Sequence, residues 1–193
     1  MYKLFPLTIA LLVASGLAQS QTVEAPTMDH SKMDHAAHMK MMADAQRQAE
    51  VSERGKDVMP FNLAATTHYF SKTADGGVQQ VVAKKADDTT QVAMVRQHLQ
   101  AIREQFLKGD FSGPAHIHGD EMPGLAELRA AKPGELSITY KEIAGGAELT
   151  YTVSGKPAQW LVPALHKWFD AQLSDHGHDA KEGHMRHPGM PPQ

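Results

Sequence analysis

The chain contains a two-glycine hairpin followed by an amphipathic helix, and it contains this arrangement twice. Thr66 to Phe70 and Val78 to Ala83 read as strands, and Asp75-Gly76-Gly77 between them is a hairpin turn. Asp87-Asp88-Thr89 is a helix start, and Val92, Val95, Leu99, Ile102 and Phe106 then recur at helical spacing until Gly109. In the second copy Leu136, Ile138 and Tyr140 alternate, Gly145-Gly146 turns, and Leu149, Tyr151 and Val153 alternate on the way back. A helix from about Pro157 or Pro163 to Ser174 follows, with Trp160, Leu161, Leu165, Trp168, Phe169 and Leu173 as its apolar residues. Arg96-Gln97-His98-Leu99 and Ala164-Leu165-His166-Lys167 fall at matching places in the two helices. The pattern reads as a weak internal duplication or as two units alike by chance. Either way the expected fold class is α+β: a four-stranded antiparallel sheet from two ββα units, with helices on one face.

Around this domain (58–175) the chain turns polar. Residues 44–57 read as a helical linker stopped by Gly55, and 19–43 and 176–193 as tails, disordered in the absence of metal. Between the units, Asp110 to Met122 reads as a loop carrying His116-Ile117-His118, and Pro123 opens a short helix with Leu125, Leu128 and Ala131. Met1-Tyr2-Lys3, the apolar run Leu4 to Leu17, and small residues at Gly16 and Ala18 make 1–18 a secretory signal peptide. The run is short for a membrane span and no second one follows, so export to the periplasm without a remaining membrane span is expected.

The N-terminal tail reads Met28-Asp29-His30-Ser31-Lys32-Met33-Asp34-His35-Ala36-Ala37-His38-Met39-Lys40-Met41-Met42. Thioether sulfur suits Cu(I), imidazole suits Cu(II) and Zn, and carboxylate helps harder ions. Copper is the metal that uses all three. With 12 histidines, 11 methionines and no cysteine in 193 residues, disulfides and thiolate sites are excluded while imidazole and thioether ligands abound. A net charge of −3 without a basic block gives nucleic acid nothing to bind. The expected tail ligands are Met28, Asp29, His30, Met33, Asp34, His35, His38, Met39, Met41 and Met42 at one end, and His176, His178, His184 and His187 at the other.

Inside the domain, His116-x-His118 in an extended loop would present both rings to one side, with Asp120 holding a ring N–H. His98 and His166 sit beside the apolar stripes of their helices, where a lone histidine is ordinarily a boundary residue. Their matched placement suggests a second site built on His98, His118 and His166, with His68 as a fourth ligand and Asp170 orienting His166.

Thr66-Thr67-His68, Asp75-Gly76-Gly77-Val78-Gln79, Ile117-His118-Gly119, Met122-Pro123-Gly124-Leu125 and Leu165-His166-Lys167-Trp168-Phe169-Asp170-Ala171-Gln172-Leu173-Ser174-Asp175-His176-Gly177 resemble a poorly characterised family of small exported bacterial proteins. The resemblance covers most of residues 55–178. That family is associated with copper and heavy-metal resistance genes, and some members carry the label aspartate carbamoyltransferase. This chain has no carbamoyl-phosphate motif, so the label does not transfer. The tail is similar to Met- and His-rich segments of periplasmic copper-resistance proteins. The resemblance implies copper binding in resistance or homeostasis, with zinc as the second candidate metal. Expected partners are a periplasmic copper oxidase or an efflux component. The alternatives are a small His-ligated metalloenzyme and a docking domain for an efflux system.

Overall fold

The computed structural model describes residues 35–183. The expected signal peptide and the expected ligands Met28, Asp29, His30, Met33, Asp34, His184 and His187 lie outside them. The fold is α+β. Strands β1 (Thr66–Thr73) and β2 (Gly76–Ala83) form the first hairpin, and helix α2 (Thr89–Phe106) follows. Two short helices come next, α3 (Ser112–His118) and α4 (Leu125–Arg129). The second hairpin is β3 (Leu136–Ile143) and β4 (Gly146–Val153), and α5 (Leu161–His176) follows it. Helix α1 (His35–Val58) precedes the whole, and a short strand β5 (Ala180–Glu182) ends it.

The sheet has five strands in the order β3-β4-β2-β1-β5. The four expected strands pair antiparallel, and β5 adds to the β1 edge in parallel. The sheet is therefore mixed rather than purely antiparallel. Alternation fixes the inward face: Ala147, Leu149, Tyr151 and Val153 are buried, and the residues between them are less so. Helices α2 and α5 supply Val95, Leu99, Phe106, Leu165, Trp168 and Phe169 to the same core. Asp88 caps α2 by accepting from the Gln91 N–H.

β1 and β2 begin at Thr66 and Gly76, and β3 and β4 begin at Leu136 and Gly146, so each strand of the second unit starts 70 residues after its counterpart. β2 and β4 pair at the centre with Gln79 opposite Leu149, which are themselves counterparts. The pairing thus has the symmetry of a two-fold axis through that point. Each helix secures the other unit's turn. Arg96 of α2 donates to the Gly146 and Ile143 carbonyls, and His166 of α5 donates from Nε2 to those of Thr73 and Gly76.

Four expectations change. The tail is not disordered throughout, because α1 begins at His35 and runs through Gly55. Ala, Met, Lys, Gln, Arg and Glu dominate it, and such residues hold a helix without an apolar stripe. Gly55 does not stop it. A Cβ there would lie 2.8 Å from Leu63 Cδ1, so glycine serves close packing. The segment after Ser174 is not a free tail, since α5 continues to His176 and the chain returns to the sheet as β5. Finally, residues 112–118 are helical rather than a loop.

Gly124 is the tightest junction near the site. Its φ is +81°, and a Cβ would collide with the Ala164 carbonyl oxygen of α5. Gly124→Ala therefore combines backbone strain with a clash that no side chain can relieve. We expect a loss of at least about 3 kcal/mol, or a fall in Tm of about 6–12 °C by circular dichroism. An unchanged Tm would mean that α4 and α5 are not in this contact. Among the described residues no helix is long and apolar enough to cross a membrane.

Candidate metal centre

Three elements, β1, α3 and α5, each bring a histidine to one place in the core. His68 lies on the inward face of β1, two residues before Phe70, and is 3% exposed. His118 is the last residue of α3, and Gly119 (φ +88°) ends that helix. His176 is the last residue of α5. The His68 and His176 rings lie 4.9 Å apart between centres, with planes within 4°. The His118 and His176 rings lie 5.0 Å apart at 85°. With metal–nitrogen bonds of about 2.0–2.1 Å and tetrahedral angles, the centres of two ligating rings fall about 5 Å apart. The spacing therefore already suits shared ligation.

The donor atoms themselves do not yet converge. Among the described residues no three His, Asp or Glu side chains are arranged to hold a metal ion. The ring torsion of histidine is broad and roughly two-fold, so reorienting a ring in place is a small adjustment.

One ring is already oriented. His118 Nδ1 lies 2.8 Å from Asp175 Oδ2. A carboxylate only accepts, so Nδ1 donates, and in the neutral ring that leaves the lone pair on Nε2. A carboxylate bonded to the outer nitrogen is the usual support of a metal-binding histidine. Asp175 is in turn held by Arg47 of α1, through Nε at 3.0 Å and a terminal nitrogen at 2.7 Å. Arg47 also donates to the His118 carbonyl, and Arg54 to that of Ile117. These are carbonyls at the C-terminal end of α3, which has no further turn to satisfy them.

Burial lowers the His68 pKa to about 4, with the nearby His98 and His118 adding to the effect. Burial also puts His98 at about 4, and burial with His68 and His118 puts His176 well below its ordinary value. For Asp175, burial opposes the charge, but the hydrogen bonds from His118 and Arg47 outweigh it and hold the carboxyl at about 2. At neutral pH, His68, His98 and His176 are therefore neutral, which is the form that coordinates a metal.

The three histidines line a cavity of about 50 Å³ together with His98, Met59, Gln79, Trp168 and Gln172. His98 packs edge-on against Phe61, 5.5 Å between centres, and Phe61 in turn neighbours His68. His68 Nδ1, Trp168 Nε1 and Gln172 Nε2 are buried with no hydrogen-bond partner among the described residues. His176 also lines an open cleft between α1 and the end of α5, beside Gln48, His178 and Asp179.

Of the expected folded-domain ligands, His68, His98 and His118 line this cavity and His166 does not. His166 spends Nε2 on the first hairpin turn, and Asp170 pairs with Lys72 instead of orienting it. His116 and His118 are two apart on a helix, so they point different ways. His116 is exposed and bonds Asp57, and Asp120 pairs with Arg129 rather than with a histidine. His178 is exposed, 3.4 Å from Asp179. On α1, His35, His38, Met39 and Met42 share a helix face at spacings of three and four, and Met41 lies off it. Met39, Met41 and Met42 are all exposed.

The sequence reading placed His176 in a tail and passed over Met59, Asp175, Arg47, Trp168 and Gln172 as site residues. Met59 is one of the residues that line the cavity.

No family model, no curated protein and no solved structure matches the chain.

Proposed function

We propose that this is an exported transition-metal-binding protein acting in copper resistance or homeostasis, and that its principal site is His68, His118 and His176. One observation carries the reading: three imidazoles line one cavity, with His176 about 5 Å from both His68 and His118, and a carboxylate holds His118 by its Nδ1. Three imidazoles in a cavity that Met59 also lines suit copper in either oxidation state, and zinc comes second. His98 stands behind them as a neighbour that keeps His68 neutral. The His35, His38, Met39 and Met42 face of α1, exposed except at the half-buried His38, serves as the weaker outer binder. Its ligands are spaced along a helix already formed, so capture there requires little ordering of the backbone. In this reading the protein sequesters copper or hands it on, and an oxidase or efflux component is the natural recipient.

Trp168 lines the cavity and only one other tryptophan exists, the exposed Trp160, so fluorescence reports the site. Cu(II) titration of the full chain should quench a large fraction of the emission in a tight phase, before a weaker phase from the outer ligands. His118→Ala and His176→Ala should abolish the tight phase, and His166→Ala should keep it. Equal tight-phase quenching in all three would refute the site.

A further inference from the structure

The cavity holds more unsatisfied hydrogen-bonding capacity than a metal can use. Trp168 is 1% exposed and Gln172 is 6% exposed, and both line the cavity. Neither Trp168 Nε1 nor Gln172 Nε2 has a hydrogen-bond partner among the described residues. Indole N–H is an obligate donor, and the amide nitrogen of glutamine is likewise a donor. A metal cation accepts no hydrogen bond, so binding one at His68, His118 and His176 leaves both groups unserved. Leaving buried donors unmade carries a real cost, and two of them around one small space point to an acceptor between them.

We infer that the cavity takes, beside the metal, one water-sized hydrogen-bond acceptor, which binds the metal at an open coordination position and receives the N–H groups of Trp168 and Gln172. The acceptor is water, hydroxide or a small inorganic anion. This inference rests on the proposed metal site and specifies its fourth position.

Size sets the class of ligand. A cavity of about 50 Å³ holds a metal ion and a ligand of a few atoms, since one water needs about 10–15 Å³ measured the same way. A sugar, a nucleotide or an amino acid does not fit. Three protein nitrogens with a fourth position left to solvent form the pattern of an exchangeable metal site, whereas a closed storage site fills all four positions with side chains. Gln172 and Trp168 lie four apart on α5, so the two donors rise from one helix face. That face belongs to the helix that ends in His176, so the helix supplies both a ligand and the donors for the exogenous group.

Azide is the probe. The full chain is loaded with one equivalent of Cu(II), and loading at the cavity is verified by tryptophan quenching. Azide is then titrated while its charge-transfer band to copper is followed. The band should appear and saturate at one azide per copper. Trp168→Phe and Gln172→Leu keep the shape of the wall but remove one donor each. Each should weaken azide by about 10-fold or more while changing copper affinity only slightly. Trp168→Phe removes the tryptophan that reports the cavity, so copper affinity there is read by competition with a chelator. A loaded protein that gives no azide band has a closed site, and the inference is overturned while the proposed function stands. Azide affinity unchanged in both variants overturns it as well, because the donors then face elsewhere. Absence of copper from the histidine cluster overturns the proposed function and this inference together.

Discussion

Lowering the pH from 6.5 toward 4 should strip the domain of much of its stability while most of its carboxylates are still charged. His68 and His98 titrate at about 4 in the folded protein, and His176 well below its ordinary value. Burial is the first cause in each case. His68 and His176 are also disfavoured as cations by their histidine neighbours, while Asp179 and Asp175 pull weakly the other way. In the unfolded chain the same groups titrate near 6.5. Their folded values are depressed, so the stability tied to their neutrality is complete above about 6.5. It is withdrawn as pH falls toward 4, because the unfolded chain takes up protons that the folded one refuses. Three such groups give a slope of up to about 4 kcal/mol per pH unit. Over two units that withdraws about 8 kcal/mol, more than half of the stability of any domain in the usual range of about 5–15 kcal/mol. Asp175 acts in a separate window. Its pKa is lowered to about 2, so its contribution is present above about 3.8 and lost only below that. Urea midpoints measured between pH 4 and pH 7.5 should fall steeply below pH 6. Copper should move the fall to lower pH, since a ligated imidazole cannot take a proton. A flat profile down to pH 4.5 would show that the histidines are not shielded from water as the structure places them.

The hairpins and the two long helices were legible because local chemistry dictates them. The first hairpin forms where the sequence marks it, although its turn is Ala74-Asp75 and Gly76 and Gly77 already belong to β2; Asp88 caps α2 through its own side chain, and the helical stripe of α2 is the one that enters the core. Other elements depend on contacts that no local pattern announces. β5 is three residues, Ala180-Lys181-Glu182, with little strand preference, and it forms because the edge of β1 offers backbone partners. The Met/His segment looks unstructured because it has no apolar stripe. From His35 on it is helical because its residues are good helix formers and because Arg47 and Arg54, further along the same helix, bind the end of α3 and Asp175.

The site was half legible for a reason that the sheet symmetry explains. Matching His98 with His166 used a spacing two residues short of the one the strands set. At the true spacing Arg96 corresponds to His166, and His98 to Trp168. The first pair lies over opposite hairpin turns, as a two-fold axis requires of residues far from it. The second pair lines the cavity. His176 has no local signature, since His-Gly-His near a chain end looks solvated until the return to β5 closes over it.

Asp175 is expected to separate metal affinity from stability. Its carboxylate receives His118 Nδ1–H on one side and the Arg47 guanidinium on the other. Asp175→Asn keeps the shape but loses the charge, and its amide cannot reproduce both sets of hydrogen bonds. His118 then loses its fixed tautomer and its added basicity, and Cu(II) affinity should fall about 10–100-fold. The accompanying loss of stability should stay near 1–2 kcal/mol, because the Arg47 side chain is 39% exposed and regains water. Arg47→Gln provides the contrast. It breaks the same ion pair, and so costs comparable stability, yet it leaves the His118–Asp175 bond in place. Its copper affinity should fall only a few-fold. The comparison isolates the orienting role, since both variants loosen α1 and only one frees the imidazole. If the two variants lose copper affinity equally, Asp175 acts as an anchor for α1 and not as the support of a ligand.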